Sequence, residues 1–193
     1  MKDRLAFIIS HLLDPTITFP FLLAIMIFKS GLSLAQIKIL LPSLFVIDLV
    51  IPGAYFVFAL RQHWVSDWEM SKREERLAPY GITLVCWLIG LILVHRWGND
   101  FLLNLGLTFY LVALSGSVIT VFWKISVHTA ATTSVALVLN FLFNWQFPWL
   151  YVVIPVVAWA RWQRQKHTIS QLMGGFLLSL VVVLSSFRLF GYL

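Results

Sequence analysis

Arg161, His167 and Gln171 stand six and four residues apart in the run Arg161-Trp162-Gln163-Arg164-Gln165-Lys166-His167-Thr168-Ile169-Ser170-Gln171, lodged between two long apolar stretches. If a helix begins near His167, Gln171 lies one turn on along the same face, and its amide oxygen can accept from one imidazole nitrogen. The other nitrogen is then the one to attack. Arg161, at the end of the preceding apolar segment, offers a planar fork suited to phosphate oxygens, and Arg164 or Lys166 adds charge. One residue binds an anion, one attacks and one orients. The same cations also fit plain interfacial anchoring, as in many short membrane loops.

A second polar stretch, Lys124-Ile125-Ser126-Val127-His128-Thr129, opens another apolar segment. Ser126 is a good N-cap, and the first-turn N–H groups of the helix it starts favour an anion such as phosphate. His128 sits at that spot, where an imidazole can give a proton to a leaving alkoxide near neutral pH. A capping serine beside an interfacial histidine is the plainer reading. A third stretch, Ser66-Asp67-Trp68-Glu69-Met70-Ser71-Lys72-Arg73-Glu74-Glu75-Arg76-Leu77-Ala78-Pro79-Tyr80, carries Lys72 and Arg76 four apart. On a helix they would present two cations on one face for one phosphoryl group, with Glu74 and Glu75 pointing elsewhere. As a charge run it also fits a solvated loop with internal ion pairs.

The elements that must position these residues are set by composition. With 60% apolar, 16% aromatic and 11% charged residues in a chain of 193, a soluble globule with a polar skin is excluded. Crossing the hydrocarbon takes roughly 20 mostly apolar residues. Spans are expected near Thr16–Phe28, Ile37–Leu60, Gly81–His95, Phe101–Trp123, His128–Phe143, Phe147–Ala160 and Thr168–Phe190. The expected fold is therefore all-α, a polytopic membrane bundle of six to seven transmembrane helices forming one domain. No short alternating segments suggest a barrel. Leu5–Leu13 resembles a signal sequence, but Asp14-Pro15 follows without a cleavage pattern, and the segment reads as an interfacial helix of the mature chain. Cys86 lies alone within a span and reads as packing. Asp48, between Ile47 and Leu49, must face a helix neighbour or a cavity. Gly174, Gly175, Ser170 and Ser179 suggest a close-packing helix face, and tryptophans at span ends suggest an interfacial belt.

Two spans separate each polar stretch from the next, so the three are expected to meet at one membrane face. The formal charge of +6 favours anionic lipid headgroups, and basic residues bordering apolar spans make nucleic acid an unsuitable partner. Lys2, Arg4, Arg61, Arg73, Arg164 and Lys166 would lie on the site face, which the positive-inside tendency places in the cytoplasm, although phosphate binding gives some of these charges another purpose.

In this order the stretches resemble the three signature motifs of the type 2 phosphatidic acid phosphatase superfamily. The third motif, arginine, five residues, histidine, three residues, aspartate, is matched in spacing by Arg161, His167 and Gln171. The second, proline-serine-glycine-histidine, is matched by Ser126 and His128. The first, lysine, six residues, arginine-proline, is matched loosely by Lys72, Arg76 and Pro79. The resemblance covers about residues 60 to 180. It implies a lipid phosphate or polyprenyl diphosphate hydrolase that works without metal or other cofactor, in the cell membrane, with membrane lipids around it and the site usually outside the cytoplasm. His167 would be the nucleophile, forming a phosphohistidine. Lys72, Arg76, Arg161 and Ser126 would hold the phosphoryl oxygens and His128 would protonate the leaving oxygen.

Three positions depart from the pattern. Gln171 replaces the aspartate that fixes and charge-stabilises the histidine, Ala160 replaces a serine and Val127 replaces a glycine. Two other readings compete with the hydrolase. One is a catalytically silent relative that binds lipid phosphates. The other is a polyprenyl-group transferase holding magnesium-pyrophosphate on Asp67, Glu69, Glu74 and Glu75, for which a second acidic cluster is missing.

Overall fold

The computed structural model describes residues 2–193, and the protein is all-α, with no strand among the described residues. The helices are α1 (Lys2–Leu12), α2 (Pro15–Lys29), α3 (Leu34–Phe45), α4 (Ile51–Arg61), α5 (Leu77–Trp97), α6 (Asp100–Phe122), α7 (Val127–Leu142), α8 (Val153–Gln163) and α9 (Ile169–Leu189). Every expected span but one coincides with one of these or with a joined pair; the exception is Phe147–Ala160, which opens as a 3₁₀ turn over Pro148–Val152 and becomes α-helical only at Val153. Five stretches are long and apolar enough to cross a membrane: Lys2–Lys29, Leu34–Arg61, Glu74–Trp97, Asp100–Phe122 and Ile169–Leu189. The helix α7 is a shorter apolar helix, and α8 is shorter still. Apolar side chains cover outward faces too. Ile169, Met173, Leu177 and Val181 recur every fourth residue on α9 and are all exposed, as suits a helix bathed in lipid rather than water.

The chain divides into two compact units, Met1–Leu23 with Ile125–Leu193, and Ala24–Lys124. One seam lies inside α2 and the other in the loop before α7, so no linker marks the division.

In the Ala24–Lys124 unit, a π-helical turn at Val46–Val50 joins α3 to α4 without a break in the rod. The wider turn disturbs the backbone ladder. The Asp48 carbonyl accepts from the Trp87 indole N–H at 3.1 Å, and the Asp48 carboxylate lies against Gly90 of α5, where any side chain would collide with it. The carboxylate thus faces a helix neighbour, as expected, although its buried Oδ1 has no hydrogen-bond partner among the described residues. The α5–α6 turn is fixed by Asn99, which caps α6 by accepting from the Leu102 N–H at 3.0 Å and donates to the Ser30 carbonyl at 2.7 Å.

In the other unit α1 packs along α8, and α7 packs against both α8 and α9. The segment expected as an interfacial helix is thus also packed against α8. It buries the small residues Ala6 and Ser10, one turn apart, which lets α8 approach closely. On α9, Gly175 and Ser179 do the same for α7. The Ser179 hydroxyl donates to the Ala130 carbonyl at 2.8 Å, and the Ser126 carbonyl occupies the place a Cβ on Gly175 would take. Because that neighbour is backbone, it cannot swing aside. Gly175→Ala is expected to destabilise the fold by about 1–3 kcal/mol through overpacking, seen as a lower thermal unfolding midpoint in detergent. Gly81→Ala, at a position with open space around it, should leave the midpoint unchanged or slightly raised.

Candidate functional site

The loop between α8 and α9 is pinned at both ends by backbone chemistry. At the α8 end the N–H of Gln165 donates to the Trp162 carbonyl at 2.8 Å, and that of Lys166 donates to the Arg161 carbonyl at 3.1 Å. This is a Schellman closure, with Gln165 in the left-handed region at φ 53° where glycine is usual. At the α9 end Thr168 caps the helix. Its hydroxyl accepts from the Gln171 N–H at 3.3 Å, and the Gln171 side-chain oxygen accepts from the Thr168 N–H at 3.2 Å, a reciprocal capping box. His167 sits between the two closures.

The same Gln171 oxygen is 3.2 Å from Nδ1 of His167. An amide oxygen only accepts, so Nδ1 carries the proton in this contact and Nε2 is the nucleophilic nitrogen. His167 is buried, and it borders an open groove whose other lining residues include Trp162, Gln165, Lys166 and Gln171. Arg161 and Ser126 are not part of that lining. Arg161 is 2% exposed and donates from a terminal guanidinium nitrogen to the Ser10 hydroxyl at 2.8 Å. The helix α1 also supplies Asp3, which accepts from the Gln163 amide at 2.9 Å, and Phe7, whose ring lies 5.2 Å beneath the Arg164 guanidinium.

Ser126 is fully buried and caps α7. Its hydroxyl oxygen accepts from the Thr129 N–H at 3.3 Å and the Thr129 hydroxyl at 3.0 Å. Its backbone N–H donates to the Gln171 carbonyl at 3.1 Å. The N-terminus of α7, bearing Ser126 and His128, is thereby tied to the first turn of α9, which follows His167. Nε2 of His128 lies 3.0 Å from a carboxylate oxygen of Asp14.

Lys72 and Arg76 belong to the other unit, and their local geometry corrects the expected helix. Residues 70–71 have no regular structure, residues 72–73 form a bend, and only Glu74–Arg76 make a 3₁₀ turn ahead of α5. The reason is the loop's acidic residues. The two Asp67 carboxylate oxygens accept from the N–H groups of Glu69 (2.8 Å) and Ser71 (3.1 Å), offering the backbone partners outside a helix. Glu75 does not point away. It pairs with Lys72 at 3.3 Å, where Lys72 is largely exposed, and it accepts from the N–H and hydroxyl of Ser66. Arg76 is buried and donates to the Met70 carbonyl at 2.9 Å. Among the described residues no three His, Cys, Asp or Glu side chains gather as a metal ligand set.

No protein-family model, curated protein or solved structure significantly matches this chain. The site therefore has to be read from its own geometry. Sequence reasoning passed over Ser10 and Asp14. Asp14-Pro15 was legible as a helix start, and Ala6 and Ser10 as a small-residue pair, but neither pattern names a partner more than a hundred residues away.

The left-handed Gln165 gives a direct test of the loop. Gln165→Gly should stabilise the protein by up to about 1 kcal/mol, while the β-branched Gln165→Val should destabilise it by a similar amount or more. Both are read as shifts of the unfolding midpoint in detergent.

Proposed function

We propose that this protein is a membrane lipid phosphate phosphatase working through a phosphohistidine. The observation that carries the reading is the joining of α7 to α9 through the Ser126 N–H and the Gln171 carbonyl. It unites an N-terminal helix turn suited to anions with a histidine whose Nδ1 is held by an amide oxygen. His167 attacks phosphorus through Nε2. Ser126 and Arg161, buried behind the groove lining, stabilise the phosphoryl oxygens only once a substrate uncovers them, and His128 protonates the departing alkoxide. The resemblance in motif order and spacing points the same way, and the apolar surroundings favour a lipid over a soluble phosphate ester. Asp67 and Glu75 are taken up by backbone and hydroxyl donors in their own loop, which weakens the transferase alternative.

Gln171 distinguishes a working enzyme from a silent binder. An amide can orient the imidazole but adds no charge when phosphorylation makes it cationic. Gln171→Glu keeps the length needed for the capping box and supplies that charge, so kcat should be retained or raised. Gln171→Leu removes both bonds and should lower kcat at least about tenfold, within the ~10⁴ that loss of an orienting partner can cost. His167→Ala should abolish turnover. The measurement is phosphate release by the purified protein from a panel of lipid phosphates with chelator present. If neither wild type nor Gln171→Glu releases phosphate while phosphatidate still binds, the protein is a binder and not an enzyme.

A further inference from the structure

Asp14 lies in the break between α1 and α2, and its carboxylate oxygens have separate partners. Oδ1 accepts from the Thr16 N–H at 2.9 Å and the Thr16 hydroxyl at 2.6 Å, closing the start of α2. That cap needs one oxygen. Oδ2 is 3.0 Å from Nε2 of His128, in the first turn of α7 and 114 residues further along the chain. Their side chains are 30% and 13% exposed, so the pair is screened far less than a surface ion pair. An ionised carboxylate only accepts, so Nε2 must carry the proton in this contact. The contact fixes the tautomer and the tilt of the ring, and the negative charge stabilises an imidazolium.

We infer that Asp14 is a positioning residue for the general acid, holding His128 by Nε2 so that Nδ1 delivers the proton. The inference rests on the phosphatase reading and deepens it. In the first half-reaction Nε2 of His167 bonds to phosphorus, the ester P–O bond breaks, and the departing oxygen takes its electron pair and the proton from Nδ1 of His128. In the second half water attacks phosphorus and gives a proton to Nδ1 of His128. The P–N bond breaks with its electron pair returning to His167, and inorganic phosphate leaves. Both histidines end as they began.

An acid matters most when the leaving group is poor, and this separates positioning from mere structure. The test compares kcat/KM, which reports events up to loss of the leaving group, for two monoesters with the same alkyl tail. One expels an alkoxide and the other a nitrophenolate, which leaves without a proton. Asn caps helices as well as Asp, so Asp14→Asn keeps the start of α2 while it removes the charge and puts a donor NH2 where Oδ2 accepted from Nε2. It should lower kcat/KM about 10²-fold or more for the alkyl ester and by less than about threefold for the nitrophenyl ester, the pattern also expected of His128→Ala. Thr16→Val, which loses the hydroxyl bond to Oδ1 and leaves Oδ2 alone, should change neither ratio. Equal losses on both esters in Asp14→Asn, or wild-type activity on the alkyl ester, would overturn the inference while leaving the phosphatase reading standing. Failure of wild type to release phosphate from either ester would overturn both.

Discussion

The N–H of Ser126 has no place in the ladder of α7, because Ser126 is the residue before that helix begins. Buried, it has to find an acceptor, and the one it finds is the Gln171 carbonyl in the first turn of α9. A carbonyl has two lone pairs, so it can serve a neighbouring chain without giving up its own helix. The approach is possible because Gly175, one turn further along, has no side chain to meet the Ser126 carbonyl. One backbone bond and one missing methyl group thus decide how the two helix starts meet. The proposal that His128 and His167 serve one site rests on that contact.

Besides the N–H it gives the Thr168 hydroxyl, Gln171 is used three more times at this junction. Its carbonyl receives Ser126, its side-chain oxygen receives the Thr168 N–H, and the same oxygen faces Nδ1 of His167. The start of α9, the tie to α7 and the orientation of the candidate nucleophile are therefore one geometric event. The Schellman closure at Lys166 fixes the other end of the loop, so His167 is held between a helix stop and a helix start. A side chain on so short and doubly anchored a connection loses little freedom when a substrate arrives, which is what a precisely aimed nucleophile needs.

The sequence revealed what is local and hid what is not. Apolar runs placed most of the helices, because length and hydropathy are properties of contiguous residues, although only five stretches are long enough to cross a membrane. The pairing of His167 with Gln171 was legible because a four-residue spacing on a helix has one geometric meaning. The Lys72–Arg76 spacing has the same form, yet Asp67, with a backbone N–H on each carboxylate oxygen, draws the loop out of helix, and Glu75 turns back to Lys72. Competition from side chains for the backbone is invisible to spacing. The reach of α1 to Arg161 and of Asp14 to His128 depends on helix packing, for which an isolated Ser10 or Asp14 offers no address. The two-unit division was hidden as well, since one seam falls inside a continuous helix.

Polar groups among lipid-facing helices have few places to go, and in the Met1–Leu23 and Ile125–Leu193 unit several are joined to another helix. Ser10 meets Arg161, Ser179 meets the Ala130 carbonyl, Asp14 meets His128 and the Ser126 N–H meets Gln171. In water such ties add little, because the unfolded chain would be solvated as well. In a bilayer the alternative is an unsatisfied group, which makes each tie a constraint on helix placement even where its net energy is modest. Three of these four ties involve a residue with a proposed chemical role. The interactions that hold α1, α7, α8 and α9 together are thus largely those that aim the site, and the guanidinium of Arg161 is kept in place by a helix from the opposite end of the chain. The N-terminal helix is therefore as much a part of the site's construction as the motif residues themselves.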